Sequence, residues 1–193
     1  MSVLTPQTSL PSRARLIEII KEKSFQQGPE VKLASGKTSN FYFNMKPTLL
    51  DPEGARLISE LILSKLKRDE VDLIGGLEMG AVPIASAVAA ISHIHGRPLA
   101  AFFVRKQAKE HGTQSLIEGL KRGDSMRGKR VAIVEDVTTT GGSALKAAEA
   151  LKAEGARIVR VLTIVDRQDG AAEAFRNAAL EFEPLLTLLD FRS

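Results

Sequence analysis

From residue 71 onward, short apolar runs rich in Val, Ile and Leu alternate with segments whose apolar positions recur at helical spacing. Residues 71–77, 99–104, 130–134 and 157–165 read as strands, and 82–94, 143–154 and 171–179 as helices. Strands that are apolar on both faces and alternate with helices predict a parallel sheet covered on both sides. The expected fold class is therefore α/β. Ahead of this pattern, Leu16, Ile17, Ile19 and Ile20 lie among charges within 13–23 and predict a helix. Residues 31–44 read as two strands around a Ser35-Gly36 turn. Asp51 and Pro52 open a helix whose apolar stripe is Leu57, Ile58, Leu61, Ile62 and Leu66. Gly155 is placed to end the 143–154 helix, and a last apolar segment covers 185–189.

Composition narrows the chemistry. A chain of 193 residues suits one domain with an appendage, large enough to bury a core. It has no cysteine, which excludes disulfides, thiol nucleophiles and cysteine–metal sites. Neither a signal-type apolar region nor a run of membrane-spanning length occurs, so the expected location is cytoplasmic, with no membrane partner. The net charge of +4 is modest, and its placement matters more. Arg105, Lys106 and Lys109 share one polar stretch; Lys121, Arg122, Arg127, Lys129 and Arg130 share the next. One tyrosine and no tryptophan make a poor stacking platform for nucleic acid, and a small polyanion is the expected partner.

The candidate chemistry centres on residues 131–143. A buried strand ends in Glu135 and Asp136, a loop of hydroxyls and glycines follows, and a helix resumes at Ala144. A strand–loop–helix of this kind gathers backbone N–H groups and the positive end of a helix into one small space, which suits a phosphate. Two adjacent carboxylates suit the hydroxyls of a ribose. Together they describe a sugar 5-phosphate. In an open parallel sheet, ligands sit beyond the carboxyl ends of the strands. Those ends carry Glu78-Met79-Gly80, Arg105-Lys106, Glu135-Asp136 and Asp166-Arg167, which are expected to converge on one crevice. His93 and His95 close a helix and are read as bystanders facing its dipole.

The string Glu135-Asp136-Val137-Thr138-Thr139-Thr140-Gly141-Gly142-Ser143 resembles the 5-phosphoribosyl 1-diphosphate (PRPP) signature of type I phosphoribosyltransferases, acid-acid-x-x-Thr-Thr-Gly-x-Ser. Arg105-Lys106-Gln107-Ala108-Lys109-Glu110-His111-Gly112 resembles the mobile catalytic loop of the orotate phosphoribosyltransferases in particular. Two further segments, Ser35 to Asn44 and Asp166-Arg167-Gln168, resemble that family's aromatic segment and its orotate-facing arginine.

The resemblance implies a single domain over 1–193, with a parallel-sheet core of about 50–170 and a small hood from about 13–49 and 180–193. It implies transfer of the phosphoribosyl group from PRPP to orotate, with Mg²⁺ bound mainly through PRPP and no direct metal ligand. Lys109, His111 and Asp136 would be catalytic. Arg105, Lys106, Glu135, Val137, Thr138, Thr139, Thr140, Gly141, Gly142 and Ser143 would join them around PRPP, and Thr139, Arg167, Tyr42 and Phe43 would meet orotate. A homodimer with shared active sites is implied as well. Two positions depart from the family, Ala34 before Ser35-Gly36 and Met79 before Gly80, each replacing a lysine. Another base specificity on the same fold, purine or uracil, and a non-catalytic PRPP sensor remain open alternatives.

Overall fold

The structure, a computed structural model, describes residues 10–32, 38–67, 70–107 and 116–192. Helix α1 (Leu10–Lys23) leads into an antiparallel hairpin, β1 (Phe25–Lys32) and β2 (Thr38–Phe43). A short helix α2 (Lys46–Leu49) precedes α3 (Pro52–Lys65). Asp51 caps α3 as expected, its Oδ1 accepting from the N–H groups of Glu53 and Gly54 at 3.1 and 2.9 Å, with Pro52 on the first turn.

The core follows as β3 (Leu73–Gly75), α4 (Ala81–Ile94), β4 (Ala100–Ala101), β5 (Phe103–Val104), β6 (Ile117–Glu118), β7 (Arg130–Thr138), α5 (Gly142–Ala153), β8 (Arg157–Asp166), α6 (Ala171–Asn177) and β9 (Phe182–Thr187). A 3₁₀ turn, Leu188–Phe191, follows.

The main sheet runs β4-β3-β7-β8-β9, with every neighbouring pair parallel. Alternation along β7 shows why the sheet is covered twice. Ala132 and Val134 join a cluster with Leu16, Ile58 and Ile84 from the helices on one face. Val131 and Ile133 join Ala147, Leu151 and Phe175 on the other. Burying one such large apolar side chain stabilises the fold by about 1.5–3 kcal/mol. From β3 the chain steps outward to β4, then returns to place β7 on the other side of β3. Strand order therefore reverses between β3 and β7, and that switch point opens a crevice at the carboxyl ends of the strands.

Three expectations need correction. The strand expected over 99–104 divides at Phe102, and its second part pairs antiparallel with β6, a strand not expected from the sequence. The strand expected to stop at Val134 continues to Thr138, because Val137 and Thr138 keep their places opposite Val165 and Asp166 on β8. Residues 180–193, counted with the hood, divide as well. Phe182–Thr187 is the edge strand of the core sheet, and Phe191 reaches the hairpin, its ring 5.4 Å from that of Phe25 and 5.1 Å from that of Phe43.

Candidate active site

The loop after β7 is shaped by Gly141, whose φ of 83° lies in the left-handed region open mainly to glycine. A Cβ there would also stand 2.8 Å from the Phe175 ring. This turn starts α5 at Gly142. The first N–H groups of a helix have no partner within it, and here they belong to the residues around Ser143 at the rim of the crevice. Together with the helix dipole they form an anion site. Lys146, one helical turn beyond Ser143, lines the same hollow.

Behind the loop stand the two acids. The hydroxyls of Thr138 and Ser143 both donate to Glu135, that of Thr138 at 2.8 Å. Burial pushes the Glu135 carboxyl up to about 7; the two hydroxyls pull it down, and the nearby Asp136 pushes it up again. Burial also raises Asp136, opposed by its backbone N–H contacts and by the charge of Lys46. The Thr138 hydroxyl has a second contact, to the Thr163 hydroxyl at 2.9 Å. Thr138, expected around PRPP, lines neither hollow and faces the interior. Only 1% of it is exposed, and it braces Glu135.

Arg167 carries the hood. Its backbone N–H donates to the Thr138 carbonyl at 2.9 Å, which fixes it beside the acid-bearing strand. Its Nη1 donates to the Phe41 carbonyl at 3.1 Å, and its Nε lies 3.7 Å from Asp169. Burial leaves it 5% exposed and lowers its pKa. On β2, Tyr42 and Phe43 point to opposite faces. Phe43 is 7% exposed and packs with Phe25 and Phe191, while Tyr42 is 42% exposed and offers its ring to the crevice.

Two hollows meet here. The larger, about 1150 Å³, is lined by Tyr42, Arg167, Arg105, Thr139, Thr140 and Lys146, among others. The smaller, about 560 Å³, lies between Lys46, Asp136 and the loop Glu78-Met79-Gly80. Leu77, Lys106, Glu135 and Ser143 border both. The Lys106 backbone N–H donates to Glu78 Oε1 at 2.9 Å, which ties the two strand ends together. Gly80 packs so closely that a Cβ on it would lie 2.7 Å from Asp136 Oδ1.

Of the residues singled out in the sequence, Arg105, Lys106, Glu135, Asp136, Val137, Thr139, Thr140, Gly141, Gly142, Ser143, Tyr42, Phe43 and Arg167 border these hollows. Lys109 and His111 lie outside the described residues, as does Ala34. Lys46 and Lys146 were not singled out. The three-residue step from Ser143 to Lys146 along a helix was a usable signal; nothing local marked Lys46.

A family model described as the phosphoribosyl transferase domain matches residues 48–177. The orotate phosphoribosyltransferase of Bradyrhizobium diazoefficiens is 61% identical over 180 residues, covering 93% of this chain and 96% of that protein. Among solved structures, the Mycobacterium tuberculosis orotate phosphoribosyltransferase in complex with Fe(III) dicitrate is 40% identical with a TM-score of 0.80, covering 95% of this chain and all of that one. The same enzyme in complex with PRPP is 37% identical with a TM-score of 0.76, covering 93% of this chain and 98% of that one.

Proposed function

The chain belongs to the orotate phosphoribosyltransferase family, and from that premise we propose that it joins orotate to the phosphoribosyl group of PRPP in the crevice between β3 and β7. The products are orotidine 5′-monophosphate and pyrophosphate. The observation that carries the assignment is the position of the acid pair beside two adjoining hollows, with Glu135 bordering both, Asp136 the smaller, and the glycine loop Thr139–Gly142 lining the larger. The 5-phosphate sits at residues 139–143 and the ribose hydroxyls donate to the two carboxylates. Orotate lies toward Tyr42, with Arg167 and Thr139 toward its carboxylate edge.

As the bond from the anomeric carbon to the diphosphate oxygen breaks and its electron pair leaves with pyrophosphate, the ring nitrogen of orotate bonds to that carbon and releases its proton. Positive charge grows on the ribose and negative charge on the leaving group. Carboxylates fixed near the ring favour the first, and Arg105 and Lys106, with Lys109 and His111, the second. Among the described residues no cluster of three or more acidic or histidine side chains is present to cage a metal. Mg²⁺ arriving with PRPP would come to rest beside Glu135 and Asp136 and would neutralise diphosphate charge there. We infer a homodimer with shared sites and a cytoplasmic location from the same family reading. No helix among the described residues is long and apolar enough to cross a membrane.

The decisive experiment follows orotate absorbance with PRPP and Mg²⁺, with hypoxanthine, adenine and uracil in parallel. Orotate is expected to be consumed and the other bases not. Faster turnover of a purine would overturn the assignment of Arg167 and Tyr42.

A pH dependence follows from Glu135. Its carboxyl is held up to about 7, so below that value it carries a proton and cannot accept from both ribose hydroxyls. The kcat/KM for PRPP, which reports the free enzyme, should therefore rise with pH through about 7. PRPP phosphates titrate nearby, so Glu135→Gln is the control. Loss of the limb in that variant supports the assignment, and an identical limb assigns it to the substrate.

A further inference from the structure

We propose that Lys46 holds the diphosphate end of PRPP, as the hood-side cation of the smaller hollow. The proposal rests on the PRPP assignment above and extends it to a residue that assignment did not use. With the 5-phosphate at the α5 terminus and the ribose at Glu135 and Asp136, the far end of the substrate must lie on the other side of the acid pair. That side is the 560 Å³ hollow.

Its lining poses an electrostatic problem. Glu78, Glu135 and Asp136 all border it, the loop between β3 and α4 contributes the uncharged Met79 and Gly80, and a diphosphate is strongly anionic. Lys106 and Lys46 are the lysines of this lining. Lys106 comes from the strand end and Lys46 from the hood, so the two approach from different elements.

The local structure fixes Lys46 without using its ammonium. Met45 before it is buried, as are Thr48 and Leu49 after it, and the Thr48 hydroxyl lies 2.6 Å from that of Ser24. The chain at Lys46 is therefore anchored on both sides while its own side chain stays exposed. Lys23 and Lys65 are tied to Asp51 and Glu183, but Lys46 makes no ion pair among the described residues. Its charge nonetheless reaches Asp136, whose carboxyl it lowers. An uncommitted ammonium on a rigid base, facing an acid-lined hollow, is suited to a ligand that brings more negative charge than the acids do.

The test compares wild type with Lys46→Gln, Lys46→Met and Lys46→Arg, using inorganic pyrophosphate and ribose 5-phosphate as competitive probes against PRPP. Thermal melts establish that each variant is folded; Lys46→Met keeps the aliphatic stem if Lys46→Gln melts early. Removing one charge-assisted contact should raise the KM for PRPP and the Ki for pyrophosphate by about tenfold or more. The KM for orotate and the Ki for ribose 5-phosphate should stay put, and Lys46→Arg should recover most of the loss. An unchanged pyrophosphate Ki in folded Lys46→Gln or Lys46→Met overturns the proposal. So does an equal loss of ribose 5-phosphate binding, which would place Lys46 at the other end. Failure of the wild type to use PRPP and orotate at all would instead strike the underlying assignment.

Discussion

Asp136→Asn should lower kcat/KM for PRPP by about tenfold or more, a loss of at least ~1.4 kcal/mol of transition-state stabilisation, without unfolding the protein. Asparagine keeps the size of the side chain and its capacity to accept a hydrogen bond, so the difference isolates one negative charge beside the ribose. Burial already raises the Asp136 pKa, which means that the fold holds this charge against a desolvation penalty. A group held in that way is expected to return the cost when cationic character develops next to it. Gly80→Ala approaches the same charge from outside. The new methyl would sit 2.7 Å from Asp136 Oδ1 and must push the carboxylate aside, which costs the fold little because a side-chain end can move. Activity should fall while the melting temperature changes little. Wild-type kinetics in a folded Asp136→Asn protein would remove Asp136 from the reaction.

What the sequence made legible was the part with local causes. Strands β7 and β8 are apolar on alternate positions of both faces, so their existence and parallel pairing followed from burial alone. The acid pair and glycine loop were legible because a phosphate site needs its backbone geometry in one continuous segment. Their boundary was not. Val137 and Thr138 look like loop residues until β8 pairs with them, and only the structure shows the Thr138 hydroxyl turned inward onto Glu135.

Tyr42 and Phe43 both border the larger hollow, but adjacent residues of a strand face opposite ways, and Phe43 is 7% exposed against 42% for Tyr42. Lys46 was illegible because it shares a hollow with Asp136, about ninety residues on in sequence, only once the fold is formed. The two-residue pairing of β5 with β6 is likewise set by the edge of the sheet and carries no periodic signal.

Mixing Lys109→Ala and Asp136→Ala, each expected to be nearly inactive alone, should restore activity. Residues 105–107 and 116–118 form the base from which the segment bearing Lys109 and His111 departs. That base stands at the crevice rim, with the Arg105 N–H donating to the Leu116 carbonyl at 2.8 Å. In the family this chain belongs to, the resemblance implies a loop that crosses a two-fold axis into the partner's site. If so, each site combines Asp136 of one subunit with Lys109 of the other, and a two-fold dimer holds two such composites. In a mixed dimer one site then collects both defects and the other collects none. Random reassembly of equal amounts gives about half mixed dimers, so roughly a quarter of all sites should be intact. The measurement is orotate consumption after unfolding and refolding the two proteins together, beside each refolded alone. Were each loop to serve its own subunit, every site in the mixed dimer would keep exactly one defect. Mixed dimers shown to form, yet as inactive as their parents, would rule out the shared site.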